Sequence, residues 1–163
     1  QDVLFQALDV LRDGGTILYP TDTIWGLGCD ATSATAVDKI YHIKQRDHNK
    51  SMLVLSRREW IVGCPKEALP FFDSVRPTTV ILPVASLPAL PQLAENLTAA
   101  DGTIGVRIPR HHFCQALLAA LNHPLVSTSA NFAGQPSPSS FDDIDPRLSA
   151  LVDYVVANRP EMV

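Results

Sequence analysis

The sequence is short of several things, and each shortage removes a class of protein. There are only three cysteines, Cys29, Cys64 and Cys114, odd in number, far apart and without a CxxC pair. That spacing makes neither a disulfide framework nor a zinc site. They read as three small buried hydrophobes of a reduced, cytoplasmic protein. Charged residues are 18% of the chain, below the usual ~25%, while apolar residues are 46%. A disordered or acidic-tail protein is excluded on those figures. No run approaches the ~20 apolar residues that span a bilayer, so no membrane partner is expected. The opening run QDVLFQALDVLRDGG lacks the basic start and small-residue cleavage site of a signal peptide, and reads as an amphipathic helix. The net charge is −4, from 13 basic and 17 acidic residues. Broad attraction to nucleic acid needs clustered positive charge, so only a local basic pocket remains open. Phosphate and catalytic signatures are equally scarce: no GxxxxGK[ST], no GxGxxG after a strand, no HExxH, no GxSxG. GLGCDA at 26–31 has too few glycines to cradle a pyrophosphate.

What is present is an interleaving of short apolar runs with helical periods. At 163 residues the chain predicts a single domain, 1–163, able to bury a core without staples. Leu4, Leu8 and Leu11 recur at helical spacing, stopped by Gly14-Gly15. Ser33 caps a predicted helix running to about Lys44 with Val37, Ile40 and Tyr41 inward. His111–Leu121 is a further helix, and 58–62, 66–74 and 141–148 read as helical pieces. Strands are predicted at 16–19, 24–29, 52–55, 78–84, 103–108, 125–127 and 151–156, with 87–100 a Pro-punctuated connector. The fold class is α/β, a twisted mixed sheet flanked by helices.

Chemistry concentrates in four polar islands beside these runs. The first is Thr21-Asp22-Thr23 between two strand-like pieces, either a turn in which Asp22 bonds its own backbone or a set of hydroxyls and a carboxylate offered at a sheet edge. The second holds Lys44, Arg46 and Lys50 around a helix end, where cations offset the helix dipole, face water, or clamp a triphosphate. The third is Arg107 in the alternating strand Thr103–Ile108. A charge there needs a partner, which is Asp22, Asp101 or a substrate carboxylate. Alternation puts Arg107 on the same face as Thr103 and Gly105, the small and polar side, and that face is expected to line a pocket. The fourth is Ser127-Thr128-Ser129-Ala130-Asn131, a cap or turn, or a set of hydrogen bonds to a nucleotide, with Ser137 in the Pro-rich loop beyond.

Taken in order, GGTILYPTDTIWGLGCDA, IYHIKQRDHNKSMLVL, TIGVRIPRH and PLVSTSANFAGQPSPSS resemble the YrdC (TsaC) family of threonylcarbamoyl-adenylate synthases from the first helix to about Val156. The resemblance implies an α/β fold of that type and a nucleotidyltransferase activity. L-threonine, bicarbonate and ATP give threonylcarbamoyl-adenylate and pyrophosphate, with Mg²⁺ accompanying ATP and few protein metal ligands. The product would feed the tRNA threonylcarbamoyl-transfer machinery, with at most a weak contact to tRNA itself.

By position, Lys44 and Arg46 are the implied catalytic cations. Arg46, Lys50, Thr103, Ser129, Asn131 and Ser137 are the implied ATP contacts, Asn131 orienting its loop as well. Thr23, Arg107 and Ser127 are the implied threonine contacts. Three departures stand out. Leu55 occupies a position where some members carry His. Ser74-Val75-Arg76-Pro77-Thr78-Thr79 replaces a W-P-G-P-x-T segment, with Arg76 expected to face solvent. Members usually continue beyond the point where this chain ends, so a C-terminal segment is expected to be lacking. Two alternatives are a carbamoyl-adenylate module serving another acceptor and a non-catalytic RNA-binding protein using the same pocket.

Overall fold

The computed structural model describes residues 2–45, 52–76 and 78–156. Helix α1, Asp2–Arg12, follows the Leu4/Leu8/Leu11 stripe, and Leu8 and Leu11 are buried. Strands β1 (Ile17–Pro20) and β2 (Trp25–Gly28) form a hairpin, and α2 spans Ala34–Lys44. Ser33 caps α2 by accepting the Ala36 N–H, and Gln45 ends it in the left-handed region at φ 52°. After β3 (Leu53–Leu55) come single 3-10 turns at Arg58–Ile61 and Lys66–Ala68 and the short α3, Leu69–Phe72. The predicted helical pieces at 58–62 and 66–74 are thus shorter and tighter, because Pro65 and Pro70 interrupt the hydrogen-bond ladder. Next are β4 (Val80–Pro83), β5 (Thr103–Arg107), α4 (His112–Leu121), β6 (Leu125–Ser129), α5 (Pro146–Ser149) and β7 (Tyr154–Val155).

The sheet order is β4-β5-β3-β6-β2-β1-β7. β3/β5 and β1/β7 pair in parallel, and the remaining neighbours are antiparallel, so the sheet is mixed. β6 runs two residues further than its apolar content indicates, since Thr128 and Ser129 pair with Leu27 and Gly26. Backbone pairing on a neighbouring strand overrides the polar side chains there. The Thr21–Ile24 turn joins two interior strands, so it projects from the strand ends and not from a sheet edge; the edges are β4 and β7.

Register assigns every strand residue to a face. One face carries Leu18, Leu27, Val54, Val106 and Val126, all fully buried. The other carries Gly26, Thr103, Gly105, Arg107, Ser127 and Ser129, together with Tyr19 and Leu55. The turn after β1 and the segment after β5 meet beyond the strand ends: β1 and β5 lie four places apart in the order, yet the carboxylate of Asp22 accepts the backbone N–H of Arg110 at 2.7 Å. α1 packs on α4, and Arg12 reaches the Ala120 carbonyl at 3.1 Å.

Candidate active site

The face holding Gly26, Gly105, Ser127 and Arg107 is shaped by what small residues leave open. Tyr19 lies opposite Gly26 across the hairpin. A Cβ on Gly28 would stand 2.2 Å from the Val126 carbonyl and 2.8 Å from the Tyr19 ring. So the glycines of GLGCDA admit the Tyr19 ring and a close strand, and are not a phosphate cradle. The Tyr19 hydroxyl crosses β2 to donate to Val126 O at 3.1 Å. Burial raises the Tyr19 phenol far above its ordinary range; Cys114 adds to this, while the Ser127 hydroxyl and the Arg107 cation oppose it. A Cβ on Gly26 would stand 3.3 Å from the Tyr19 ring and 3.5 Å from Ser127 Oγ, so Tyr19 and Ser127 meet over Gly26, on the sheet face that carries Arg107.

Arg107 has neither of the carboxylate partners that the sequence suggested. Asp22 is engaged by Arg110 N, and Asp101 accepts from Thr103 N at 3.1 Å and Thr103 Oγ1 at 2.6 Å. Those two bonds hold the Asp101 carboxyl below the usual range. Arg107 instead donates from Nε at 3.0 Å and Nη2 at 2.8 Å to Thr79 Oγ1. No ion pair of Arg107 is found among the described residues. A half-buried guanidinium whose hydrogen-bond partner among the described residues is a single hydroxyl can receive an anion.

The second half of the site is the run after Ser127. Alternation puts Ser127 and Ser129 on one face, ~7 Å apart along β6. Lys44, only 5% exposed at the end of α2, donates to Ser129 O at 2.7 Å, Asn131 O at 2.8 Å and Asn131 Oδ1 at 3.0 Å. Asn131 Oδ1 also accepts from Ser129 Oγ at 2.5 Å, and its Nδ2 donates to Gln135 O at 2.6 Å. Lys44 and Asn131 thus hold the loop that presents Ser129. Ser137 is exposed, next to Pro138, whose carbonyl accepts Trp25 N–H at 2.9 Å. Phe141 packs edge-on against Trp25 at 5.5 Å.

Thr23 is exposed in the hairpin turn. Thr21, not Asp22, supplies the local turn bond, accepting Thr23 N–H at 3.3 Å. Arg46 and Lys50 lie outside the described residues. Leu55 is buried beside Arg107 in register, and Arg76 is exposed. The structure brings Ser127, Arg107 and Tyr19 together and ties Lys44, Ser129 and Asn131 into one cluster. Thr103 stands on the same face, paired to Asp101. Sequence reasoning gave Thr79 and Tyr19 no role. For Thr79 the available signal was its place as the final threonine of the variant W-P-G-P-x-T segment. For Tyr19 it was a tyrosine preceding glycines two apart in the next strand.

Among the described residues no group of three His, Cys, Asp or Glu side chains stands close enough to hold a metal ion. The site's groups are hydroxyls, an amide and cations.

A family model described as Telomere recombination (Sua5_yciO_yrdC) matches residues 9–163. A threonylcarbamoyl-AMP synthase of Stenotrophomonas maltophilia is 39% identical over 160 residues, covering 94% of this chain and 84% of that protein. One from Xanthomonas euvesicatoria pv. vesicatoria is 37% identical over 162 residues with the same coverage of 94% and 84%. Among solved structures, E. coli YciO superposes with a TM-score of 0.77 at 28% identity, over 94% of this chain and 76% of that one. P. abyssi Sua5 complexed with L-threonine superposes with a TM-score of 0.80 at 24% identity, over 94% of this chain and 45% of that one. The chain belongs to the Sua5/YciO/YrdC family.

Proposed function

We propose that this chain is a nucleotidyltransferase that makes threonylcarbamoyl-AMP and pyrophosphate from L-threonine, bicarbonate and ATP, in the cytoplasm, for threonylcarbamoyl modification of tRNA. The observation that carries the reading is Arg107, a half-buried cation without a carboxylate partner among the described residues, on the same sheet face as Ser127 and Ser129. An amino acid whose carboxylate meets Arg107 would lie along that face with its amine toward the nucleotide half of the site. The names of the relatives at 39% and 37% identity support the same product.

In this reading bicarbonate takes up a proton and loses water to give carbon dioxide, and the threonine amine bonds to its carbon and releases a proton, leaving a carbamate. A carbamate oxygen then attacks the α-phosphorus, the new P–O bond forms, and the bond to pyrophosphate breaks. Nothing in that sequence needs a covalent protein nucleophile. It needs positioning and charge stabilisation, which cations and hydroxyls supply. Ser129, Thr103 and Ser137 would bond the nucleotide, Arg46 and Lys50 would draw charge from the leaving phosphates, and Lys44 and Asn131 would keep Ser129 in place. Thr23 and Ser127 would contact threonine. Mg²⁺ would accompany ATP, offsetting charge on the triphosphate with few ligands from the protein. The downstream partner would be the tRNA transfer machinery, with at most weak direct contact to tRNA.

Pyrophosphate release from ATP tests the reading. Release that requires both L-threonine and bicarbonate is the expected result. Release that ignores threonine would transfer the site to another acceptor, and tRNA retention without turnover would make the chain a binding protein.

A further inference from the structure

Arg107 offers five N–H donors in a planar fork, and the way they are shared decides what it can grip. The Nε and Nη2 donors converge on one oxygen, Thr79 Oγ1, at 3.0 and 2.8 Å. That occupies the side edge of the guanidinium. The end edge, Nη1 with the second hydrogen of Nη2, makes no hydrogen bond to a described residue. Thr79 stands immediately before edge strand β4, and its methyl lies over Gly105, where a Cβ would come within 3.1 Å of Thr79 Cγ2. Gly105 is on the Arg107 face two residues earlier in β5. A side chain at Gly105 would crowd the Thr79 methyl and press it away by a few tenths of an ångström.

We propose that Thr79 is a positioning residue that fixes the side edge of Arg107 so that its end edge is presented to the amino-acid carboxylate. This rests on the reading of Arg107 given above. A hydroxyl suits the task because it orients the guanidinium without neutralising it; a carboxylate at position 79 would compete with the substrate. The buried Leu55, paired with Arg107 in register, adds no polar group to that neighbourhood. Gripped on one edge, the arginine loses little rotamer freedom when it binds, and preorganisation of this kind appears in affinity.

The test is calorimetric titration of L-threonine into wild type, Thr79→Val and Thr79→Ser, alongside ATP titrations and the NMR signal of the Arg107 Nε–H without ligand. Thr79→Val is nearly isosteric and removes only the hydroxyl. The expected result is a roughly ten-fold rise in the threonine Kd for Thr79→Val, the size of one lost charge-assisted hydrogen bond. ATP affinity should stay unchanged, Thr79→Ser should bind as wild type does, and the Nε–H signal should shift in Thr79→Val alone. Wild-type threonine affinity in Thr79→Val overturns the proposal. So does an equal loss in Thr79→Ser, which would make the methyl group over Gly105 the important part. Should Thr79→Val fail to fold, Thr79→Ala takes its place beside Thr79→Ser, and wild-type threonine affinity in Thr79→Ala overturns the proposal. If wild type itself binds no threonine while the Nε–H shift is still seen, the tether exists but the substrate reading has failed, and the proposed purpose falls with it.

Discussion

Two cations in this protein have opposite situations, and substitution should separate them. Arg107 keeps a guanidinium edge that no described residue pairs, whereas the ammonium of Lys44 is held by Ser129 O, Asn131 O and Asn131 Oδ1. Arg107→Lys preserves charge but cannot place two parallel bonds on a carboxylate. It should cost about 1.5–3 kcal/mol in threonine binding, roughly ten- to hundredfold, and leave ATP affinity unchanged. Calorimetry with each ligand separately checks this, and equal weakening of both would move Arg107 to the phosphate side. Lys44→Met keeps the buried aliphatic stem but removes the donor from three acceptors in part-buried bonds. A loss of about 1–3 kcal/mol in unfolding free energy is expected by urea titration. Unchanged stability with lost turnover would show that Lys44 serves the substrate and not the loop.

Helix α4 shows a pH dependence that belongs to an element. His111 is its N-cap, its Nδ1 accepting the Phe113 N–H at 3.2 Å, which requires an unprotonated Nδ1. Burial lowers the His111 pKa from its ordinary 6.5; Asp22 opposes that shift and His112 reinforces it. With the folded value below the unfolded one, the unfolded chain binds the proton more readily. The contribution is therefore fully present above 6.5 and is lost as pH falls below it. His111→Asn supplies an equally good cap without a titrating ring. Thermal melts of wild type and variant should run together above neutral pH and diverge as the solution is acidified, the wild type falling faster. Parallel curves throughout would mean the cap bond contributes nothing.

At the scale of the whole molecule, burial in the core places two of the three cysteines out of reach. Cys29 and Cys114 are fully buried and burial pushes both thiols well up, while Cys64 is half-buried. Only Cys64 departs from the expectation of three buried thiols. The three are free, not bridged. A thiol reagent at mildly alkaline pH should therefore modify one cysteine readily in the native protein and all three after denaturation. Two fast thiols would mean that α4 or the β2 end opens in solution. No described helix is long and apolar enough to cross a membrane.

Much of this protein was legible from local patterns. The Ser33 cap, the Leu4/Leu8/Leu11 stripe and the alternation around Arg107 each depend on a few neighbouring residues, and the structure has α1, α2 and β5 where those patterns put them. Alternation alone put Arg107 with Thr103 and Gly105, because side-chain period in a strand is a local property. Partners were not legible. The sequence offered Asp22 and Asp101 to Arg107, yet Asp22 holds Arg110 beyond the strand ends and Thr79 holds Arg107. Those choices follow from twist and strand order, which join residues 28 and 88 positions apart, and no window of sequence carries that distance. The strand identity of Thr128 and Ser129 was likewise decided by β2 beside them, not by their own preference. Residue type and spacing determined which groups share a strand face; only the tertiary structure decided which of them a neighbour neutralises and which remain available to a ligand.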